Sequence, residues 1–341
     1  MTDIRPGNDT DPARAACSSA PTPAAVSPPK GSMDGIDPQS TAVLLMVASA
    51  VFFGFMSITI RYASHQLHPF EVAFFRNVFG LLFALPLLFR GGLVLLKTDK
   101  KRYYLLRCGI GMVSMLCGFW AIANLPLAQA VSLSYSTPLF VTIAAVLVLG
   151  EVVRARRWTA VVIGFLGVLV IVRPWGHAFS PALLVPLAAA ALSASVAISI
   201  KFLSRTEHPD SIVIITALIW APLSLFPALP YWEWPTAESW AWVALTGFCG
   251  TAGHMLWTRA FKLGEASALT PISFVQLPIV ALLGWLLFAE SVDRYTLIGS
   301  AIIFAANIYI AHREAQLRRA QRAKDAAATD ADIEAESQAQ R

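Results

Sequence analysis

The sequence predicts an all-α integral membrane protein whose ten transmembrane helices form two inverted-topology five-helix repeats. Three observations point there: an extreme apolar composition, ten apolar runs of membrane-crossing length, and an internal match between the halves. Of 341 residues, 56% are hydrophobic and 14% are charged, with a mean hydropathy of +0.61. Soluble domains carry about 25% charged residues, so the balance argues strongly against a soluble enzyme. The 26 Lys and Arg against 21 Asp and Glu fall in short clusters between apolar runs. Such placement speaks for membrane orientation and against a nucleic-acid partner.

Taken in order, residues 1–40 hold seven prolines, five aspartates and no apolar run. They cannot bury enough surface to offset the entropy of ordering and are expected to form a disordered cytoplasmic tail. The next run, 41–64, is too long for a signal-peptide core, and Asp34 and Asp37 precede it in place of basic residues, so it is expected to stay uncleaved. Further runs follow at 69–89, 103–124, 126–149 and 157–173, then at 181–203, 210–230, 238–258, 266–289 and 295–312. Each is near the 17–25 residues that cross about 30 Å of hydrocarbon. Helices are expected because lipid offers no partner to an unpaired peptide group, and no run shows the alternation of a barrel strand. Only Leu125-Pro126 separates the third run from the fourth. The domains so read are 41–175 and 181–313, followed by a charged cytoplasmic tail at 314–341.

Lysine and arginine set the orientation. With the N-terminus inside, 21 of them fall on the inner side and three, Arg61, Arg173 and Arg294, on the outer side. This satisfies the positive-inside rule and predicts cytoplasmic termini. Arg76 and Arg107 are left within spans. Trp232, Trp234, Trp240 and Trp242 suit an outer interfacial belt. Cys17, Cys108, Cys117 and Cys249 lack metal or redox spacing and read as small buried residues.

Shifted by about 140 residues, the sequence matches itself. His68-Pro69 falls on His208-Pro209, Ser57 to Tyr62 on Ala197 to Phe202, Trp120 on Trp257, Pro138 on Pro278 and Glu151 on Glu290. Five spans per half is an odd number, so the second half enters the membrane inverted. Two similar folds of opposite orientation predict alternating access. No P-loop is present, which leaves a secondary transporter as the leading reading. An intramembrane enzyme is the runner-up, without a visible catalytic or metal motif, and a non-transporting sensor is the third class. No catalytic residue, cofactor or metal is expected.

The stretch Ala123-Asn-Leu-Pro-Leu-Ala-Gln-Ala130, then Ser136-Thr-Pro138, Leu149-Gly-Glu151, Arg157-Trp158, Gly164-Phe-Leu-Gly167 and Arg173-Pro174 resembles the drug/metabolite transporter superfamily, EamA type. Trp257-Thr-Arg-Ala260, Pro278, Gly284-Trp285 and Phe288-Ala-Glu290 look like a worn second copy, with Ala289 where glycine is common and Ala306 opposite Gly167. The resemblance spans residues 41 to 313. It implies a ten-helix permease for a small organic metabolite, such as an amino acid or a riboflavin-like or S-adenosylmethionine-like solute. Coupling to a proton or ion stays open, as does the oligomeric state.

Polar residues within apolar spans are functional hypotheses by default. Arg76 lies about 10 Å into its helix, and its match in the other half is Thr216; Glu71 is its alternative, structural partner. His254 sits beside the Gly247, Gly250, Gly253 row and could bind solute or carry a proton, though a neutral, hydrogen-bonded histidine is the commoner case. Trp120 and Trp257 could stack on a flat ligand or anchor at the interface. Ser134, Tyr135 and Ser136 beside Pro138, and Ser273 and Gln276 beside Pro278, either wall the central site, because paired helix interruptions mark such sites, or make ordinary interhelical hydrogen bonds. Asn124, Gln129 and Asn307 are weaker pore-lining candidates. Glu151 and Glu290 read as helix-terminating interfacial residues.

Overall fold

The chain was analysed as a computed structural model that describes residues 38–91, 101–150, 155–175, 179–203, 209–264 and 266–339. Residues 1–37 and Glu151 lie outside that set, as do Lys97, Lys100, Arg154, Arg205 and Arg341 of the inner basic clusters.

All regular elements among the described residues are helical. The first half contains α1 (Pro38–Ala63), α2 (Pro69–Gly91), α3 (Lys101–Asn124), α4 (Leu127–Ser134), α5 (Thr137–Leu149) and α6 (Ala155–Val172). The second half contains α7 (Leu184–Leu203), α8 (Pro209–Ala228), α9 (Ala237–Leu263), α10 (Ala266–Ser273), α11 (Gln276–Phe288) and α12 (Arg294–Ala339). Six helical segments among the described residues are long and apolar enough to cross a membrane, and Trp158–Val172 and Ile215–Tyr231 are shorter apolar helices.

Local chemistry sets the ends. Pro69 opens α2, where its missing N–H costs nothing, and Glu71 accepts the His68 N–H at 3.0 Å. Thr236 caps α9 through the Ser239 N–H at 3.3 Å. Gly150 closes α5 in the left-handed region at φ 64°, and Ala289 closes α11 in the same conformation at φ 53°, which is strained for a residue with a Cβ.

The apolar run 126–149 is broken into α4 and α5 at Tyr135-Ser136, and 266–289 into α10 and α11 at Phe274-Val275. Both breaks lie beside the prolines that marked them in sequence. The last helix departs from expectation in the other direction. Beyond the apolar run 295–312, α12 continues without a break through the charged tail, for 46 residues in all.

The helix boundaries fix the repeat register. Between α1–α2 and α7–α8 the offset is 140, as between Ala63 and Leu203 or Pro69 and Pro209. From α3 onward it is 139, as between Asn124 and Leu263, Ser134 and Ser273, or Ala155 and Arg294. Two hydrogen bonds support the alignment. Ser49 of α1 donates to the Gly253 carbonyl of α9 at 2.8 Å, and Ser114 of α3 donates to the Ala189 carbonyl of α7 at 2.7 Å. Ala189 corresponds to Ser49 and Ser114 to Gly253, so the same crossing is bonded in both halves with the donor exchanged. The pairing of Trp120 with Trp257 is corrected: Trp257 corresponds to Gly118, Trp120 to Arg259, and His254 to Met115. A helix cannot absorb a two-residue slip without a bulge.

Backbone meets backbone where α6 crosses α12. A Cβ on Gly167 would stand 2.8 Å from the Gly299 carbonyl, and one on Gly299 2.5 Å from the Gly167 carbonyl. Ala160 and Ala306, the counterparts of Gly299 and Gly167, are buried together with Leu139, Val161 and Ile310.

Candidate functional site

The two helix breaks meet. The Tyr135 ring stacks on Phe274, its repeat counterpart, with centroids 4.0 Å apart and planes 20° off parallel. The Tyr135 hydroxyl donates to the Ser273 carbonyl at 2.7 Å and lies 3.2 Å from Gln276 Oε1. Asn307 of α12 donates to the Tyr135 carbonyl at 2.8 Å, so this buried amide holds the break and does not line a pore. Ser136 is fully buried, bonded to the Leu133 carbonyl at 2.6 Å. Ser134 is exposed, with its hydroxyl on the Ala130 carbonyl at 2.9 Å. Of the sequence-predicted group, Tyr135, Ser273 and Gln276 are therefore brought together, from both halves, around a stacked aromatic pair, while Ser134 bonds only within its own helix.

A second group sits where α2 and α9 cross. Glycines at 247, 250 and 253 let neighbours approach: a Cβ would come within 2.5 Å of Phe79 at Gly247, 3.1 Å of the Arg76 Nε at Gly250 and 3.0 Å of Phe53 at Gly253. The Arg76 guanidinium thus lies over Gly250, enclosed by α1, α3 and α9. Its Nη1 donates to Asn77 Oδ1 at 3.0 Å and meets Met115 Sδ at 3.8 Å. Glu71 is not its partner: that buried carboxylate takes the His68 and Glu233 N–H groups instead. His254 stands edge-on to Phe53 at 5.0 Å, and its side chain is exposed.

The remaining candidates do other work. Trp257 is exposed and packs on Phe261 at 4.6 Å, while Trp120 is half-buried. Asn124 bonds its own helix at the Trp120 carbonyl. Gln129 lines a small recess with Glu290 and Asp293. Among the cysteines, Cys108 and Cys249 are buried but Cys117 is only partly so.

Sequence reasoning missed what gathers at one end of the bundle. Arg61 pairs with Glu290 at 2.9 Å, Arg173 with Asp293 at 2.7 Å, and Gln66 takes the Thr236 N–H and the Ser239 hydroxyl. Glu290 is thus an ion-paired residue as well as a helix terminator. All three links join segments that the positive-inside count had placed on one side, and that agreement was the available signal.

Helical segments of this length and apolarity, with polar groups gathered inside, define a multi-pass membrane protein. The family model of the EamA-like transporter family matches residues 40–173 and again 180–311, and the chain belongs to that family. It is 30% identical over 285 residues to a riboflavin transporter of Vibrio cholerae serotype O1, covering 82% of this chain and 95% of the relative. An S-adenosylmethionine uptake transporter of Rickettsia felis is 30% identical over 281 residues, covering 82% and 96%. A solved crystal structure shares the fold with a TM-score of 0.57 at 20% identity, over 80% of this chain and 98% of that one. The protein is a small-solute transporter and not an enzyme.

Proposed function

We propose that the chain is a secondary transporter that moves a small organic metabolite across the bacterial inner membrane by alternating access, with both termini cytoplasmic. On this reading the twelve helices make ten crossings, α4 with α5 and α10 with α11 each forming one broken crossing. The repeats 41–175 and 181–313 then lie inverted, and the exchange of their conformations opens the site to either side. The observation that carries the reading is the meeting of two broken helices at equivalent positions, with Tyr135 on Phe274. Helix breaks at membrane depth are tolerated where they line a cavity, and they free carbonyls for solute. Ser134, Tyr135, Ser273 and Gln276 form one wall of the site, and Arg76 and His254 the other. Trp120 and Trp257 flank it.

The test is counterflow in proteoliposomes with labelled riboflavin, S-adenosylmethionine and a panel of amino acids. Saturable uptake of at least one solute is expected. Tyr135→Phe, which keeps the ring stack and loses the hydroxyl, should fold and show a raised half-saturation concentration. Absence of flux across the panel from folded protein would overturn the proposal.

A further inference from the structure

We infer that the transporter takes solutes bearing an oxyanion, a carboxylate or phosphate, bound by Arg76 with Asn77 beside it. This rests on the transport reading above and adds the chemical class of the cargo. It comes from comparing two crossings that the repeat makes equivalent.

Where α3 meets α8, Arg107 Nη1 donates to Thr216 Oγ1 at 2.7 Å, and both residues are buried. The Trp220 indole covers Gly111, where a Cβ would stand 2.9 Å from its ring, and donates to the Cys108 carbonyl at 3.2 Å. The crossing is sealed, its cation bonded across and its gap filled. Where α2 meets α9, the register puts Arg76 at the place of Thr216, Thr246 at that of Arg107, Gly80 at that of Trp220 and Gly250 at that of Gly111. The arginine and threonine have changed helices, and here they do not bond. Thr246 gives its hydroxyl to Thr59 at 2.9 Å and lies 2.8 Å from the Trp242 carbonyl. Gly80 supplies no ring, and the guanidinium fills the space above Gly250.

What remains is a surplus of donors. Guanidinium carries five N–H groups and no acceptor, and among the described residues Arg76 has one oxygen partner, from its neighbour in sequence. Asn77 is 7% exposed, and its Nδ2 finds no acceptor among the described residues. No Asp or Glu among the described residues pairs with Arg76. A cation kept inside a membrane without a counter-charge is unfavourable, and a planar two-oxygen anion matches its fork. Both donor side chains present the same demand, which an oxyanion meets. The two equivalent crossings thus carry one arginine each, both from the first half, one bonded across its crossing and one reserved.

The experiment uses the full chain in lipid nanodiscs and solute pairs that differ by one charged group. FMN against riboflavin reads phosphate, and N-acetyltryptophan against N-acetyltryptophanamide reads carboxylate. The charged member of at least one pair should bind about tenfold more tightly. Arg76→Gln should abolish that preference, Arg76→Lys should keep part of it, and Arg107→Gln should leave it intact. Equal binding within both pairs, a preference that survives Arg76→Gln, or no binding by either anion overturns the inference. Saturable flux of a neutral solute under any of those outcomes leaves the transport reading standing, whereas anion binding without flux of any solute removes that reading alone. If Arg76→Gln does not accumulate, modification of wild-type Arg76 by phenylglyoxal decides: protection by an anion and not by its neutral partner supports the inference, and equal protection overturns it.

Discussion

The Arg61 guanidinium at the end of α1 lies 2.9 Å from the Glu290 carboxylate beyond α11, and each partner also holds a further helix end. Arg61 donates to the Ala123 carbonyl at 3.1 Å and to that of Leu125, where α3 finishes. Glu290 Oε2 accepts the Leu127 N–H at 2.7 Å, at the start of α4. An acidic group at a helix N-terminus is favoured by the dipole there, so one carboxylate neutralises α1, caps α4 and terminates α11.

Glu290→Gln keeps an acceptor for the Leu127 N–H but loses the charge, whereas Glu290→Ala loses both. Glu290→Ala should therefore be the less stable of the two by about 1 kcal/mol, read from thermal unfolding in detergent. Equal losses would show that the capping bond contributes nothing. The pair is partly exposed, so Glu290→Gln itself should cost little.

Gly167→Ala and Gly299→Ala should each cost about 1–3 kcal/mol, because the added methyl meets backbone that cannot rotate away. Gly109→Ala in α3 has nothing within 4 Å of its new methyl and should be neutral or stabilising by up to about 1 kcal/mol, the helix-propensity gain of alanine. Unfolding midpoints of the three variants test the contrast, and similar values for all three would refute it.

Ala289→Gly removes a Cβ from a left-handed residue and should stabilise the protein by about 1 kcal/mol. The opposite change at the matching site, Gly150→Ala, should destabilise it, and the sign of the two shifts is the readout.

Between α1 and α2, His68 stacks on Tyr231 at 3.7 Å, and its Nδ1 accepts the Phe70 N–H at 3.3 Å. Burial holds its pKa below the ordinary value of 6.5. The unfolded chain therefore binds a proton first as pH falls, so this residue's contribution is complete above about pH 6.5 and declines below it. Unfolding midpoints at pH 7.5 and 5.5 should show a smaller acid loss in His68→Gln than in wild type. An identical loss would place the acid sensitivity elsewhere.

Much of this was legible beforehand. Apolar runs of membrane length force helices whatever their tertiary neighbours, and Pro138 and Pro278 lie next to the breaks because proline removes a helix bond locally. Tyr135, Ser273 and Gln276 were found together for the same reason: the break that frees the backbone also assembles the side chains. The Arg61–Glu290 pair spans 229 residues of sequence, and no local pattern reports such a distance. The register failed at Trp120 and Trp257 because two identical rare residues outweighed helix continuity. Arg107 was passed over because its partner, Thr216, had been read only as the missing counterpart of Arg76.

The 46 residues of α12 measure about 69 Å at 1.5 Å per residue, more than twice the thickness of about 30 Å of hydrocarbon. Its Gly299 end is clamped backbone to backbone against α6, and the far end reaches Ala339 without a hinge residue such as proline or glycine after that clamp. Pivoted at that clamp, the helix is a lever whose short arm is its first turn and whose long arm runs through the apolar span and on to Ala339. A tilt of about 10° at the crossing would sweep the tip by roughly 10 Å for a rigid rod of that pitch. A spin label near Ala339 would turn small rocking motions of the repeats into distance changes large enough to follow.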